Sequence, residues 1–210
     1  LVNFTHPLIA LAALPFVGLP NSESWPYLIA SVVIHQAYYA GLVMQYRFGD
    51  LGQVYPLARG ASPLLVAAAA WIWAGEALGP GALMAILLIT GGIMYLALSG
   101  RGQGGNRLAV AWALFTALTI AGYSVADGLG GRAAGDTLAY IVWLFLLDGL
   151  PLPLVLPLLR GPVELAASLR RYWLPGLFGG VLSSTAYGVV IWVMSLAPLA
   201  IVTALRETSV

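Results

Sequence analysis

The sequence lacks cysteine and lysine and carries little charge of either sign. No disulfide, thiolate metal site or cysteine nucleophile can form within these 210 residues. All nine cations are arginine, which excludes a Schiff-base lysine and a P-loop lysine. Charged residues make up 8% of the chain, whereas soluble domains carry roughly 25%. The net charge of +1 argues against a nucleic-acid partner, because phosphate binding needs a basic surface.

Apolar residues dominate the composition. The chain is 60% hydrophobic, with a mean hydropathy of +0.91. A membrane span needs about 20 mostly apolar residues. The sequence therefore predicts an all-α polytopic protein of the lipid bilayer, with eight spanning segments. They are A, Leu1–Leu19; B, Trp25–Tyr46; C, Leu51–Trp73; D, Gly81–Leu98; E, Leu108–Val125; F, Thr137–Leu159; G, Tyr172–Leu196; and H, from Pro198 to Val210.

The connections between these segments are short and rich in turn residues. Residues 161–171, between F and G, predict a short amphipathic surface helix. The chain does not begin with Met and stops inside an apolar segment. We therefore expect it to be an internal piece of a longer protein.

Arginines predict the orientation of the segments. Loops B–C, D–E and F–G hold six of them, whereas the alternate loops hold only Arg132. Because positive residues concentrate on the cytoplasmic side, the first set of loops is expected to face the cytoplasm. The six are Arg47, Arg101, Arg107, Arg160, Arg170 and Arg171.

When the sequence is aligned with itself at an offset of 147 residues, segment B matches segment G and segment C matches segment H. The alignment of Arg59 with Arg206 is the strongest sign of a repeat, since a charge at membrane depth costs about 3 kcal/mol or more and is therefore rare. Segment A then matches F, and the parent unit has five helices. Because five is odd, the second unit is inverted, an arrangement common in secondary transporters. The superposed pairs are Gly41 with Gly188, Val43 with Val190, Arg59 with Arg206, and Ser62 with Ser209.

Three stretches resemble a known family. They are "GDLGQVYPLARGASPLLVAAAAWIWAGEALGPGALMAILLITGGIMYLAL" at 49–98, "AGYSVADGLGGR" at 121–132 and "LAPLAIVTALRETSV" at 196–210. They resemble the EamA-type repeats of the drug/metabolite transporter superfamily. The resemblance implies ten helices in two inverted five-helix units around a central cavity, without ATP hydrolysis, cofactor or metal. It assigns 1–100 to a first repeat lacking its first helix, and 106–210 to a second repeat truncated in its fourth helix. It also implies a bacterial inner membrane and cytoplasmic termini, the reverse of the orientation that the arginines predict.

Arg59 is the leading candidate for the site. Pro56 and Pro63 flank it, and segment C is expected to be interrupted there, as transporter helices are near their binding sites. The guanidinium can bind the carboxylate or phosphate of a substrate. Alternatively, it satisfies carbonyls that the two prolines leave without donors. Tyr55 is a candidate to stack on a ligand, or a packing residue.

Arg206 and Glu207 form the matching element in segment H. Adjacent helical residues point about 100° apart, so these two need not pair with each other. Glu207 either carries a coupling proton, because burial favours a neutral carboxyl group, or pairs with an arginine such as Arg59. Thr203, one turn earlier, is a further substrate-binding candidate.

Segments B and G each carry a polar patch at mid-span. His35 is a candidate for proton coupling because imidazole titrates near neutral pH, and the alternative is a hydrogen-bonded packing role. Tyr38 and Tyr39 are substrate-binding candidates at the same depth. Ser184 and Tyr187 occupy the corresponding part of segment G.

Four further residues have assigned interpretations, some functional and some structural. Tyr123 is a substrate-binding candidate at the end of segment E. Asp127 is a candidate for proton coupling, or simply begins a turn. Asp148 is interpreted as a helix-capping residue at a break before Pro151, and Glu76 as a link between segments C and D.

These observations predict a secondary transporter of a small polar or amphipathic metabolite, such as an amino acid or organic anion. Arginines in the cavity favour an anionic group. The alternatives are a lipid-carrier flippase or a non-transporting membrane scaffold; a membrane-embedded enzyme is disfavoured, because no concentrated catalytic motif is present. Gly91 and Gly92 predict close helix contact, either between the two halves or between two protomers, so the protein is expected to be a monomer or a homodimer.

Overall fold

The computed structural model describes residues 2–99 and 106–208, and every regular element within them is a helix. Ser209 and Arg101, which entered the repeat and the loop charges above, lie outside these residues. Two 3₁₀ turns, Leu14–Phe16 and Ser22–Ser24, connect the first two helices. The α-helices are α1, Val2–Ala13; α2, Trp25–Phe48; α3, Leu51–Ala74; α4, Pro80–Ser99; α5, Arg107–Ala133; α6, Thr137–Gly149; α7, Pro151–Arg160; α8, Pro162–Leu196; and α9, Leu199–Glu207.

Within the residues that the structure describes, five helical stretches are long and apolar enough to cross a membrane. Large apolar side chains on them face outward; Trp71 and Trp73, for example, are 66% and 68% exposed. Such surfaces are rare on soluble monomers and suit contact with lipid. The expectation of an all-helical chain with membrane-spanning helices is confirmed at this level. The stretches are Ser22–Phe48, Leu51–Ala74, Arg107–Ala133, Thr137–Pro157 and Leu169–Leu196.

Several predicted boundaries were wrong. Segment A contains only 12 residues of α-helix, followed by a 3₁₀ turn. Segment E does not end at Val125, because α5 continues to Ala133. Segment F is divided at Leu150. The short helix predicted over residues 161–171 is present, as the part of α8 that precedes a kink at Tyr172, where φ is −120° and ψ is 17°.

Segment C is not interrupted. Helix α3 runs unbroken from Leu51 to Ala74, with Pro56 and Pro63 inside it. It begins at Asp50, whose side chain accepts a hydrogen bond from the Gly52 N–H at 2.8 Å, a standard N-terminal cap. It ends at Gly75, whose φ of +66° is the left-handed conformation that terminates many helices.

The chain divides into two compact units, and each contains residues from both predicted repeats. The first consists of Leu1–Leu28 and Gly130–Ser195. In it, α1 packs against α6, and the Thr5 hydroxyl donates to the Gly176 carbonyl of α8 at 3.3 Å. Arg132, which had no predicted role, donates from Nε to the Met194 carbonyl at 3.1 Å.

The second unit consists of Ile29–Leu129 and Leu196–Val210. Helix α3 is at its centre and packs against both α4 and α9. Glu76 Oε2 accepts the Leu199 N–H at 2.8 Å and so caps the first turn of α9. Its expected link between α3 and α4 stays a prediction. An apolar core joins the N-terminal part of α3 to the start of α5 and is formed by Val54, Leu57, Ala58, Ala109 and Ala113.

Candidate functional site

A buried ion pair joins α3 to α9 in the second unit. Nη1 of Arg59 donates to Oε2 of Glu207 at 2.9 Å. The Glu207 side chain is 0% exposed, whereas that of Arg59 is 22% exposed. The pairing of Glu207 with Arg59, one of the two alternatives from the sequence, is therefore present. The reachable member of the pair is the cation.

Arg206 binds the same carboxylate. Its Nε and Nη2 donate to Oε1 of Glu207 at 2.9 and 2.7 Å, although the two residues are adjacent on α9. Adjacent residues on a helix need not pair, but these two do, because the long arginine side chain folds back over the carboxylate. Glu207 thus accepts three charge-assisted hydrogen bonds from two guanidinium groups, a strong class of hydrogen bond.

Aromatic rings cover both guanidinium groups. The Arg59 guanidinium carbon lies 5.3 Å from the Tyr55 ring centroid, and that of Arg206 lies 5.8 Å from the Tyr123 centroid. Both distances fall within the range of cation–π attraction. Tyr55 comes from α3 and Tyr123 from α5, so three helices contribute to this charged centre.

The rings continue to α2. His35 stacks on Tyr123, with centroids 4.1 Å apart, and Tyr38 meets Tyr123 edge-on at 5.6 Å. Tyr39 lies 6.3 Å from His35 and 5.5 Å from Tyr38. We call the whole group the Arg59 cluster: His35, Tyr38, Tyr39, Tyr55, Arg59, Tyr123, Arg206 and Glu207.

Ser62 explains why α3 stays continuous at Arg59. Pro63 has no N–H, so the carbonyl of Arg59 loses its usual helical donor. The Ser62 hydroxyl donates to that carbonyl at 3.0 Å. Part of the structural work considered for the Arg59 guanidinium, satisfying a carbonyl freed by proline, is therefore done by Ser62.

His35 is hydrogen-bonded within its own helix. Its Nδ1 lies 2.9 Å from the Ser31 carbonyl and 3.2 Å from the Ser31 hydroxyl. A carbonyl only accepts, so the first contact places a proton on Nδ1. The packing role is thus satisfied, and a role for His35 in proton coupling stays a prediction.

Two buried hydroxyls of the second unit have unused hydrogen-bonding capacity. Thr203 Oγ1 and Ser124 Oγ are buried without a hydrogen-bond partner among the described residues. Thr203 lies one turn before Glu207 on α9, on the same side of the helix. A ligand reaching the Arg59 cluster would find this donor and acceptor unoccupied.

Asp127 was interpreted mainly as the start of a turn, and that interpretation was wrong. It lies inside α5, one turn beyond Tyr123, with 0% exposure. Its role in proton coupling stays a prediction.

The remaining two predicted substrate-binding residues belong to the first unit. Ser184 donates to the Gly180 carbonyl at 2.8 Å, and the Tyr187 ring stacks on Phe145 with centroids 6.4 Å apart. Ser184 also lines a cavity of about 290 Å³. The lining comes from α1, α6 and α8 and is mostly apolar: Ile9, Ala10, Ala13, Leu138, Ile141, Val142, Phe145, Ser184, Thr185, Gly188, Val189 and Trp192.

A second pair of titratable side chains, absent from the predictions, lies in the first unit. Nδ1 of His6 is 3.8 Å from Oδ2 of Asp148, and both side chains are buried. Asp148 was expected to cap a helix. The break at Leu150 is present, but the N-cap position of α7 is Leu150 and has no side-chain cap. The only indication of this pair in the sequence was that both residues can carry a charge in a segment that is otherwise apolar.

No cluster of three or more metal-ligating side chains occurs among the residues that the structure describes. Comparisons of the chain with models of protein families, with curated proteins and with solved structures gave no match. The assignment of a function therefore rests on the residues themselves.

Proposed function

We propose that the chain belongs to a secondary transporter for a small metabolite that carries a carboxylate or another anionic group, such as an amino acid or organic anion. The observation that supports this most is the asymmetry of the Arg59–Glu207 pair. The carboxylate is fully buried, and the cation retains 22% of its exposure. An incoming ligand therefore meets a guanidinium group, which binds carboxylates and phosphates in a bidentate manner.

The setting of Arg59 supports the same proposal. A charge within a membrane-spanning helix is expensive and is usually functional. The ring of Tyr55 lies beside it, and Tyr38 belongs to the same cluster. Each tyrosine offers an apolar ring with a hydroxyl group at its tip. The unpaired Thr203 hydroxyl offers a further hydrogen bond. These groups suit an amphipathic solute with an anionic end.

The repeat belongs to the proposal as well. Arg59 and Arg206, superposed by the 147-residue shift, bind the same carboxylate from α3 and α9. This is the arrangement expected if two related elements meet at one site. It supports an inverted pair of five-helix units, and therefore ten helices in the whole protein. The proposal also includes alternating access at a central cavity, a place in the bacterial inner membrane and membership of the EamA-type transporters.

A ligand screen tests the proposal. The melting temperature of the purified protein in detergent is measured with amino acids, organic acids, nucleosides, sugars and quaternary amines. A ligand at 100 times its Kd adds about 2.7 kcal/mol of stability. For a chain of this length, that corresponds to a rise of roughly 5–10 °C. We expect an anionic compound to give this rise.

Arg59→Ala is expected to abolish the ligand's effect. Arg47→Ala is the matched control, since Arg47 also lies over a neighbouring ring, that of Phe48, but is exposed at the end of α2. It should respond to ligand like the wild type. Stabilisation only by cations, or an anion effect that survives in Arg59→Ala, contradicts the proposal. So does a screen in which nothing binds and Arg59→Ala simply melts lower, because Arg59 is then architectural.

The apolar cavity of the first unit favours one alternative, a lipid-carrier flippase. Its volume of about 290 Å³ and its apolar lining from α1, α6 and α8 suit part of an acyl or prenyl chain. Leu138 and Val189 both line it. Substitution of either by Trp would fill the cavity, and it should inhibit lipid translocation but leave anion binding at Arg59 unchanged.

A further inference from the structure

The start of the membrane-crossing part of α8 is basic. Residues 160–173 hold three arginines and one glutamate, and the crossing stretch begins at Leu169. Arg170 and Arg171 therefore occupy its first turn, and both are exposed. Neither forms an ion pair among the side chains that the structure describes. Two such cations at the edge of a membrane attract a negatively charged partner.

A kink separates this turn from the rest of the span. The backbone of Tyr172 is not helical, with a φ of −120° and a ψ of 17°. Pro175 accounts for the kink, because it lacks the N–H that would donate to the Arg171 carbonyl and its ring crowds that carbonyl. The residues before the kink therefore do not continue the axis of the span. Their amphipathic sequence suits a position along the membrane surface.

Aromatic side chains follow the two arginines directly. Tyr172 and Trp173 are 46% and 60% exposed. Tyrosine and tryptophan concentrate at the level of the lipid headgroups, where the apolar ring contacts lipid and the polar group contacts water. The kink thus brings two cations and two amphipathic rings to the same level of the membrane.

The side chain of Arg171 is ordered in a way that suits phosphate binding. Its guanidinium carbon lies 5.2 Å from the centroid of the Tyr172 ring, within the range of cation–π attraction. This contact orders the long side chain before any ligand arrives. The planar guanidinium group then offers its N–H donors to a phosphate, which it binds in a bidentate manner.

The packed core of the first unit anchors this part of α8. The Thr5 hydroxyl of α1 donates to the Gly176 carbonyl, one turn beyond the kink. At Gly180, one turn further, a Cβ would collide with the Thr5 side chain, so α1 and α8 are in close contact. The two arginines are therefore attached to a fixed part of the fold, as a defined binding site requires.

We propose that Arg170 and Arg171, together with the rings of Tyr172 and Trp173, form a site for the headgroup of an anionic phospholipid. The phosphate binds the guanidinium groups, the rings contact the lipid beside it, and the kinked end of α8 is fixed at one membrane surface. The arginines predict that this surface is the cytoplasmic one, where anionic lipids are concentrated. The site does not depend on whether the protein transports a solute.

A single fluorescent label tests the site. The chain has no cysteine, so Ala166→Cys, at an exposed position one turn before Arg170, carries one environment-sensitive fluorophore. Short-chain phosphatidylglycerol is titrated into the labelled protein in a non-ionic detergent, and the change in fluorescence gives an apparent Kd. We expect Arg170→Gln and Arg171→Gln each to raise this Kd about fivefold, the contribution of one basic residue at an anionic lipid surface. Added salt should raise it as well.

Matched variants separate this site from a general effect of charge. Arg47→Gln removes another exposed arginine that lies over a ring, that of Phe48, and should leave the Kd unchanged. Arg171→Lys keeps the charge without the planar guanidinium and should raise the Kd less than Arg171→Gln does. The same label on Glu23→Cys, an exposed position in the turn Ser22–Ser24, should not respond to the lipid.

Two further ligands decide between the sources of the phosphate. Short-chain phosphatidylcholine, whose headgroup is neutral overall, should give no comparable response. Inorganic phosphate should bind much more weakly, because it lacks the apolar part that the exposed rings contact. Equal responses to the two lipids, or a Kd that both arginine replacements leave unchanged, overturn the proposal. If inorganic phosphate alone reproduces the response, the site takes any phosphate and the assignment to a lipid is wrong.

Discussion

Replacing Glu207 should lower the unfolding free energy of the second unit more than replacing either arginine does. The fully buried carboxylate accepts one hydrogen bond from Arg59 and two from Arg206. Removing one partner of a buried ion pair costs about 3–5 kcal/mol, because the remaining charge is left uncompensated. In Glu207→Gln the two guanidinium groups lose the negative charge that they share and one of its two acceptor oxygens, so we expect a loss of unfolding free energy in this range.

Arg59→Gln should cost less, about 1.5–3 kcal/mol, which is the contribution of one hydrogen bond to a charged group. Glu207 keeps both bonds from Arg206 in that variant. The double variant should therefore lose less than the sum of the single losses, with a coupling energy within the usual 0.5–3 kcal/mol of contacting residues.

The assay is denaturant unfolding in mixed micelles, followed by the fluorescence of the seven tryptophans. Arg47→Gln is the control for removing an exposed arginine and should change the unfolding free energy by less than about 0.5 kcal/mol. The reasoning is refuted if Glu207→Gln is as stable as the wild type, or if the Arg59 and Glu207 losses simply add.

Two further predictions concern the helices that position the site. Ser62→Ala should lower the unfolding free energy by about 1 kcal/mol, since the Arg59 carbonyl loses its donor. This loss should vanish in a Pro63→Ala background, because residue 63 then has an N–H that can donate to the same carbonyl. Equal losses in both backgrounds would contradict this account of α3. Gly180→Ala should cost roughly 1–3 kcal/mol because its Cβ would collide with the Thr5 side chain, whereas Gly91→Ala, with open space around it, should be neutral or stabilising. Thermal unfolding of the pair checks this, and similar melting temperatures would show that α1 and α8 are not closely packed at Thr5.

Much of the helical layout could be predicted from the sequence because lipid imposes a simple rule on composition. Apolar length identified the long helices, and local chemistry identified some of their ends. Asp50 and Asp136 immediately precede the predicted segments C and F, and each caps the helix that follows by accepting the N–H of Gly52 or Leu138.

Glycine and proline were the main source of error. The run after Asp127 was interpreted as a turn, yet Gly128 and Gly130 lie inside α5. Their missing side chains make room for Leu199 and Tyr140, each within its own unit. Such glycines are packing residues, and sequence alone does not distinguish them from turn residues. Likewise, Pro63 did not interrupt α3, because Ser62 supplied the missing donor.

Contacts between residues far apart in the chain were predictable only where they involve charged residues, which are rare in apolar segments. The pairing of Arg59 with Glu207 was one of two alternatives from the sequence, because both are charges in apolar segments and Glu207 adjoins Arg206, the residue that the repeat superposes on Arg59. His6 and Asp148 satisfy the first condition, but no repeat or spacing links them. Their proximity follows from the packing of α1 on α6, which no local pattern encodes.

The most direct test of the central claim is the flux of an anionic solute in proteoliposomes, with the compound chosen by the ligand screen. The wild type and Arg47→Ala are expected to carry it at similar rates, and Arg59→Ala at a rate close to that of empty liposomes. Equal flux through the wild type and Arg59→Ala, with both variants folded, would contradict the assignment of Arg59 as the anion-binding residue.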